Sequence, residues 1–199
     1  MELVFVRHAL PVRIDAAEGP ADPGLAALGQ QQAVRLASAL IDEHVDVIVT
    51  SPQRRAVETA APLAERLGLA VEVVEGVAEF DPSATSYVPV EELKAAGDPR
   101  WHLLAAGQLY SPDVDPGAFR TRVVDAVESV VAAHPGRRVV LFSHAGAINA
   151  YTAHVLGFDQ PPIWFVPAYT SITRVAASRT GRRGIVSLNE TGHVRDLLH

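Results

Sequence analysis

The chain has 199 residues, 48% of them hydrophobic, a formal net charge of −6 and no cysteine. That length suits one α/β domain with a sizeable core, the acidic balance argues against a general nucleic-acid binder, and the missing cysteines exclude disulfides, zinc–thiolate sites and thiol nucleophiles. No apolar run approaches the roughly 18–20 residues of a membrane span and no leader is visible before the first strand, so a cytoplasmic protein without a membrane partner is expected.

Leu3-Val4-Phe5-Val6 reads as a strand buried on both faces, and it runs directly into Arg7-His8. Residues 9–24 hold Pro11, Gly19, Pro20, Pro23 and Gly24 and should form a loop. From Leu25, the apolar positions Leu25, Leu28, Ala33, Leu36 and Leu40 recur at helical spacing. Val45 to Thr50 reads as a second buried strand. Ser51 is a good N-cap and Pro52 a good first helical residue, so a helix is expected from there to about Leu67, ended by Gly68. The valine-rich stretch Ala70 to Val77 reads as a third strand.

Residues 80–118 are broken by prolines and glycines into short pieces, as in a lid or binding loop inserted in a single domain spanning 1–199. A helix is predicted from about Phe119 to Ala133, with Phe119, Val123, Val127 and Val130 on one face. Arg138 to Phe142 is a fourth apolar strand, ending at Ser143-His144; a helix from Ala147 to Leu156 stops at Gly157. Ser171 to Ala177 and Gly184 to Leu188 read as the last two strands. The expected architecture is a three-layer α/β/α sandwich: a mostly parallel sheet of about six strands flanked by helices.

Two strands therefore end in histidine, at His8 and His144, and a third leads through Ser51-Pro52 to Arg54-Arg55. Parallel strands bring their carboxyl ends to one edge, where α/β proteins bind ligands. Imidazoles and guanidinium groups gathered there are mutually repulsive unless an anion joins them. A phosphoryl group fits, because its transition state spreads negative charge over three oxygens. The plainer reading of Arg7-His8 taken alone is the start of a loop, and Arg54 reads as an exposed helix-start arginine. His44, His102, His134, His154, His193 and His199 read as surface or helix-end residues, and none pairs at metal-ligand spacing. Asp113-Val114-Asp115 follows no strand and reads as a turn and helix cap.

Read as blocks, Arg7-His8-Ala9, the Leu25–Leu36 helix, Ser51-Pro52-Gln53-Arg54-Arg55-Ala56, Ser143-His144-Ala145-Gly146 and the C-terminal Leu188–His193 resemble the histidine phosphatase (phosphoglycerate mutase-like) superfamily, over nearly the whole chain. The resemblance implies a phosphoglycerate mutase-like fold and a phosphomonoester hydrolase. In it His8 forms a phosphohistidine, Arg7, Arg55 and His144 grip the phosphoryl oxygens, and His144 is cationic when the dianion is bound. Glu79 would be the acid that protonates the leaving oxygen, with Asp81 and Glu75 as other candidates. Neither a metal nor another cofactor is implied. Ala9 and Ala145 stand where the family has glycine, and the polar residues after its first motif are replaced by Leu10-Pro11-Val12-Arg13, so Arg13 is a candidate further cation.

Three functions compete: the hydrolase, a cofactor-dependent phosphoglycerate mutase-type phosphomutase, and a non-catalytic phosphate-binding module. A mutase needs extra cations over the site, for which the 80–118 segment offers Lys94 and Arg100. The same segment carries Tyr87, Trp101, Leu103, Leu104, Leu109 and Tyr110, which suit either a partly hydrophobic substrate or packing of the insertion itself. The balance favours a hydrolase acting on a small-molecule phosphomonoester. Trp164, Phe165 and the final strands suit either a homodimer interface or internal packing.

Overall fold

The computed structural model describes residues 1–16, 18–81, 83–109, 111, 114–159 and 161–198. The apolar runs become β1 (Glu2–Arg7), β2 (Val47–Thr50), β3 (Val71–Val73) and β4 (Arg138–Ser143), and the chain returns in β5 (Ile172–Ala177) and β6 (Arg183–Glu190). The sheet order is β3-β2-β4-β1-β5-β6. The first four strands in that order are parallel, while β5 runs antiparallel to β1 and β6 antiparallel to β5.

Helices α1 (Ala27–Leu40) and α2 (Arg54–Leu67) follow β1 and β2. Short helices α3 (Val90–Ala96) and α4 (Pro99–Ala105) lie within 80–118, and α5 (Pro116–Ala133) and α6 (Ala145–Leu156) flank β4 in the chain. The strands alternate between two cores. Val4, Val6, Val140 and Phe142 pack with Leu36 of α1 and Leu63 of α2. Leu3, Phe5, Val139 and Leu141 pack with Val127 of α5 and Ile148 of α6. Burial on both faces explains why these strands are continuously apolar instead of alternating.

Several boundaries differ from the sequence expectation for visible reasons. Leu25 precedes α1, since it bridges Pro11 and packs against Ala9 and Ala33. Ser51 does not cap α2: the helix starts at Arg54 with Gln53 as N-cap, and the Ser51 hydroxyl accepts from Gln53 N while bonded to His144 Nε2. The third strand is only three residues long, because the chain turns at Glu75–Val77 into a 3₁₀ turn. Helix α5 starts at Pro116, capped by Asp115 Oδ1, which accepts from Gly117 N and Ala118 N; Asp113 lies outside the described residues. Helix α6 starts at Ala145, immediately after β4. Helix α2 ends at Gly68, whose φ of 64° is the left-handed conformation glycine adopts without strain.

The register sets the site. Arg7 is opposite Ser143 and Thr50 opposite Phe142. Two further bonds carry the ladders past the strand ends: His8 N donates to Ser143 O (2.9 Å) and Ser51 N to Phe142 O (3.0 Å). The carboxyl ends of β2, β4 and β1 thus lie side by side at the middle of the sheet.

Candidate active site

His8 is 2% exposed, with its ring centroid 5.1 Å from that of His144. Its Nδ1 lies 2.8 Å from Ala9 O. A carbonyl can only accept, so Nδ1 carries the proton and Nε2 presents its lone pair. Burial, Arg55 and Arg7 push the imidazole's pKa well below 6.5, which keeps it neutral at pH 7. A neutral imidazole protonated at Nδ1 has the tautomer a nucleophile at Nε2 needs, and here that lone pair accepts a long hydrogen bond from Arg55 Nε.

Two guanidinium groups flank it. Arg55 Nε lies 3.3 Å from His8 Nε2, and its Cζ sits 4.8 Å above the Tyr87 ring. Arg55 occupies the first turn of α2, where a cation opposes the helix dipole, so its placement serves an anion better than it serves the helix. Arg7 donates through Nη1 to Pro167 O (2.6 Å), and its Cζ lies 3.9 Å over the Tyr169 ring. Both arginines are buried. Aromatic faces hold them by cation–π attraction without using up their N–H groups, and Arg7 Nε and Arg55 Nη1 are left uncommitted.

His144 is fully buried at the N-cap of α6, with Nε2 2.7 Å from Ser51 Oγ. Burial, Arg55, His8 and Arg7 lower its pKa well below 6.5, so the group expected to be cationic beside a dianion is held neutral by the protein alone. Arg7 Nε, Arg55 Nη1 and His144 Nδ1 are buried without a hydrogen-bond partner among the described residues. Leaving one such group unsatisfied costs about 1–3 kcal/mol, more when it is charged. Three such atoms beside the His8 imidazole are groups that a bound oxyanion can satisfy.

Glu79 is buried, and its carboxylate accepts from Gly146 N (3.1 Å, Oε2) and Phe80 N (3.1 Å, Oε1). Burial and neighbouring Asp81 raise its pKa from 4.5 to about 7, against the opposing pull of the Gly146 amide, Arg55 and the Phe80 amide. That value matches a group that must both give and take a proton near neutrality. Gly146 is required by close approach: a Cβ there would strike Glu79 Oε1 and come within 2.9 Å of Phe80 Cδ1. The backbone of Glu79 is held from two sides. Its N donates to Gln53 Oε1, and Arg122 of α5 reaches across to donate to Glu75 O, Gly76 O, Ala78 O and Glu79 O.

Arg7, His8, Arg55, Glu79 and Asp81 line one cavity that opens to solvent, and His144 lies behind His8. The remaining wall is apolar and comes from Tyr87 to Leu93, from Leu104 of α4, and from Ile163, Phe165 and Val166. Other sequence candidates lie elsewhere. Arg13 does not line the cavity; it is half-exposed and paired with Asp15 and Glu92. Glu75 faces a different surface depression, beside Arg122. Lys94 stacks on Trp101 at 5.6 Å and Arg100 is bonded to Asp98, so neither reaches the cavity wall. Arg54 is exposed and pairs with Glu58. His193 is half-buried instead of lying on the surface, with its Nε2 3.1 Å from Thr170 O. Tyr110 and His199 lie outside the described residues.

Sequence reasoning missed Tyr169, Arg122 and the wall formed by Ile163, Phe165 and Val166. A signal for the wall existed: apolar and aromatic residues crowd a proline-rich connection that has no strand or helix period. Arg122 carried none, since one arginine on the polar side of a helix looks like any other. Among the described residues no group of three or more His, Asp or Glu side chains is disposed to hold a metal ion, and no helix is long and apolar enough to cross a membrane.

A doubly covered sheet that gathers imidazoles and guanidinium groups at its carboxyl edge defines an α/β protein of the phosphoryl-transfer class. The comparisons narrow this. Residues 3–191 match the family model of the histidine phosphatase superfamily (branch 1), and the chain belongs to that superfamily. Phosphoserine phosphatase 1 of Hydrogenobacter thermophilus is 30% identical over 199 residues, covering 98% of this chain and 94% of that protein. Glucosyl-3-phosphoglycerate phosphatase of Mycolicibacterium vanbaalenii is 31% identical over 166 residues, covering 73% and 70% of the two chains. The solved structure of a mycobacterial glucosyl-3-phosphoglycerate phosphatase complexed with VO3 superposes with a TM-score of 0.75 at 27% identity, covering 94% of this chain and 98% of that one. The fold is therefore shared with phosphatases along essentially its whole length.

Proposed function

We propose that this protein is a metal-independent phosphomonoester hydrolase working through a phosphohistidine on His8. The observation that carries the proposal is the trio of buried, unpartnered nitrogens on Arg7, Arg55 and His144 beside a neutral imidazole whose Nε2 lone pair accepts from Arg55 Nε at 3.3 Å. In the first step Nε2 attacks phosphorus in line. The P–O bond to the alcohol breaks, and the leaving oxygen takes the proton held by Glu79. In the second step water attacks the phosphohistidine and gives its proton to the Glu79 carboxylate. The P–N bond then breaks, its electron pair returns to Nε2, and inorganic phosphate departs. The bound dianion supplies the negative charge that lets His144 take up a proton at Nδ1 and donate to a phosphoryl oxygen. The 80–118 segment covers this chamber, since Tyr87, Leu93 and Leu104 form part of its wall.

Hydrolase is favoured over mutase because the described residues lining the cavity include no cation beyond Arg7 and Arg55 to retain a second charged phosphoryl group. The test is phosphate release from p-nitrophenyl phosphate in the presence of EDTA, with acid-labile, base-stable phosphate trapped on wild type and absent from His8→Ala. Loss of activity in EDTA, or a labelled His8→Ala protein, overturns the proposal. With 3-phosphoglycerate and a bisphosphoglycerate primer, isomerisation outrunning phosphate release would establish the mutase instead.

A further inference from the structure

The walls of the cavity bear on the alcohol that leaves, an inference that rests on the hydrolase reading of the same site. The charged groups divide sharply. Arg7, Arg55 and the neutral His8 imidazole line the proposed phosphoryl end, Glu79 is engaged by two backbone amides, and Asp81 is the other acidic lining residue. The rest of the wall is apolar apart from the Tyr87 phenol, with Val88, Leu93, Leu104, Phe165 and Val166 among its residues and the Cβ of Ala145 adding a methyl near the start of α6. The basic residues of the neighbouring segments, Arg13, Lys94 and Arg100, are engaged outside the cavity.

We propose that the substrate is the phosphate ester of an uncharged, apolar alcohol, and that the site rejects esters whose alcohol carries a carboxylate. Both named relatives take their names from carboxylated substrates, phosphoserine and glucosyl-3-phosphoglycerate. In this cavity a second carboxylate would be stripped of water against valine, leucine and phenylalanine, with no cation among the described lining residues beyond Arg7 and Arg55 to receive it. An alkyl or aryl group instead buries its surface on that wall.

The test compares esters with the same leaving-group chemistry: ethyl, butyl and hexyl phosphate, and 6-phosphonooxyhexanoate, which is hexyl phosphate with its terminal methyl replaced by a carboxylate. Each added methylene should raise kcat/KM by up to about fourfold, the fold-change equivalent of about 0.8 kcal/mol per buried CH2. Hexyl phosphate should exceed both 6-phosphonooxyhexanoate and phosphoserine by at least about tenfold. Val166 lines the cavity and is 40% exposed, so Val166→Arg can place a cation on the wall without burying it. That variant should shrink the preference for hexyl phosphate over 6-phosphonooxyhexanoate by about tenfold, less so at high salt. A flat chain-length series, a preference for the carboxylated esters, or an unchanged ratio in Val166→Arg overturns the inference while leaving the hydrolase intact. No release from any ester, p-nitrophenyl phosphate included, removes the hydrolase reading and this inference together.

Discussion

Glu79→Gln separates what the buried acid does for catalysis from what it costs the fold. The carboxyl titrates at about 7 in the native protein against an ordinary 4.5. Below pH 4.5 native and unfolded chains both keep the proton, and the group contributes nothing to the pH dependence. Between 4.5 and 7 the unfolded chain releases the proton while the native chain holds it, so stability falls as pH rises. Each unit in that window is worth about 1.4 kcal/mol, which brings the loss to about 3 kcal/mol by pH 7, with no further change above. Glutamine resembles the protonated acid in shape, keeps one carbonyl oxygen to accept from the Gly146 or Phe80 amide, and never ionises. Urea unfolding should therefore find the stability difference moving in the variant's favour by about 3 kcal/mol between pH 4.5 and pH 8, on top of a pH-independent cost of about 1–3 kcal/mol for the backbone amide left facing the new NH2 group. The same variant should lose on the order of a hundredfold in rate on alkyl phosphates, whose leaving oxygen needs the proton, and much less on p-nitrophenyl phosphate. A stability difference that does not change with pH would refute the reasoning, because it would mean that Glu79 is ionised in the native protein despite its burial.

Three other perturbations probe the same arrangement. In wild type, the first step on alkyl phosphates should slow above about pH 7 as Glu79 gives up its proton, and a pH–rate profile on the phosphorylation step should lose that limb in Glu79→Gln. Arg122→Gln removes the guanidinium that holds the carbonyls from Glu75 to Glu79. It should lower kcat on alkyl phosphates by roughly tenfold and move the alkaline limb up, because the Arg122 charge attracts the Glu79 carboxylate and its loss disfavours ionisation; a change in stability with an unmoved pH profile would reduce Arg122 to a structural tie. Gly146→Ala drives a methyl into the Glu79 carboxylate and against Phe80, and should cost about 1–3 kcal/mol in thermal or chemical unfolding together with most of the alkyl-phosphate activity; a variant with normal stability and rate would show that the turn yields freely.

Much of this molecule is legible residue by residue, because the information is local. Apolar runs from Leu3 to Val6 and from Val139 to Phe142 read as doubly buried strands without knowing what covers them. Helical spacing marks Leu36 and Leu40 for one core and Val123 and Val127 for the other. The placement of His8, His144 and Arg55 at strand and helix ends follows from the same signals, since parallel strands share a carboxyl edge. Boundaries failed where a side chain was engaged at long range: Ser51 reads as a helix cap, and only the fold reveals that its hydroxyl belongs to His144.

By itself, the order of residues determined that a sheet would form, which strands would be central, and that imidazoles and guanidinium groups would crowd one edge. The tertiary structure alone decided the state of those groups. The proton on His8 Nδ1 is held by a carbonyl in the adjacent peptide, but its low basicity comes from burial beside Arg55, which is 47 residues away along the chain. The weakened acidity of Glu79 comes from its burial and from neighbouring Asp81, in a turn packed against Gly146 and braced by Arg122. Secondary structure follows from near neighbours, whereas a pKa and a binding preference follow from whatever excludes water, and in this protein those walls come from segments far apart in the chain.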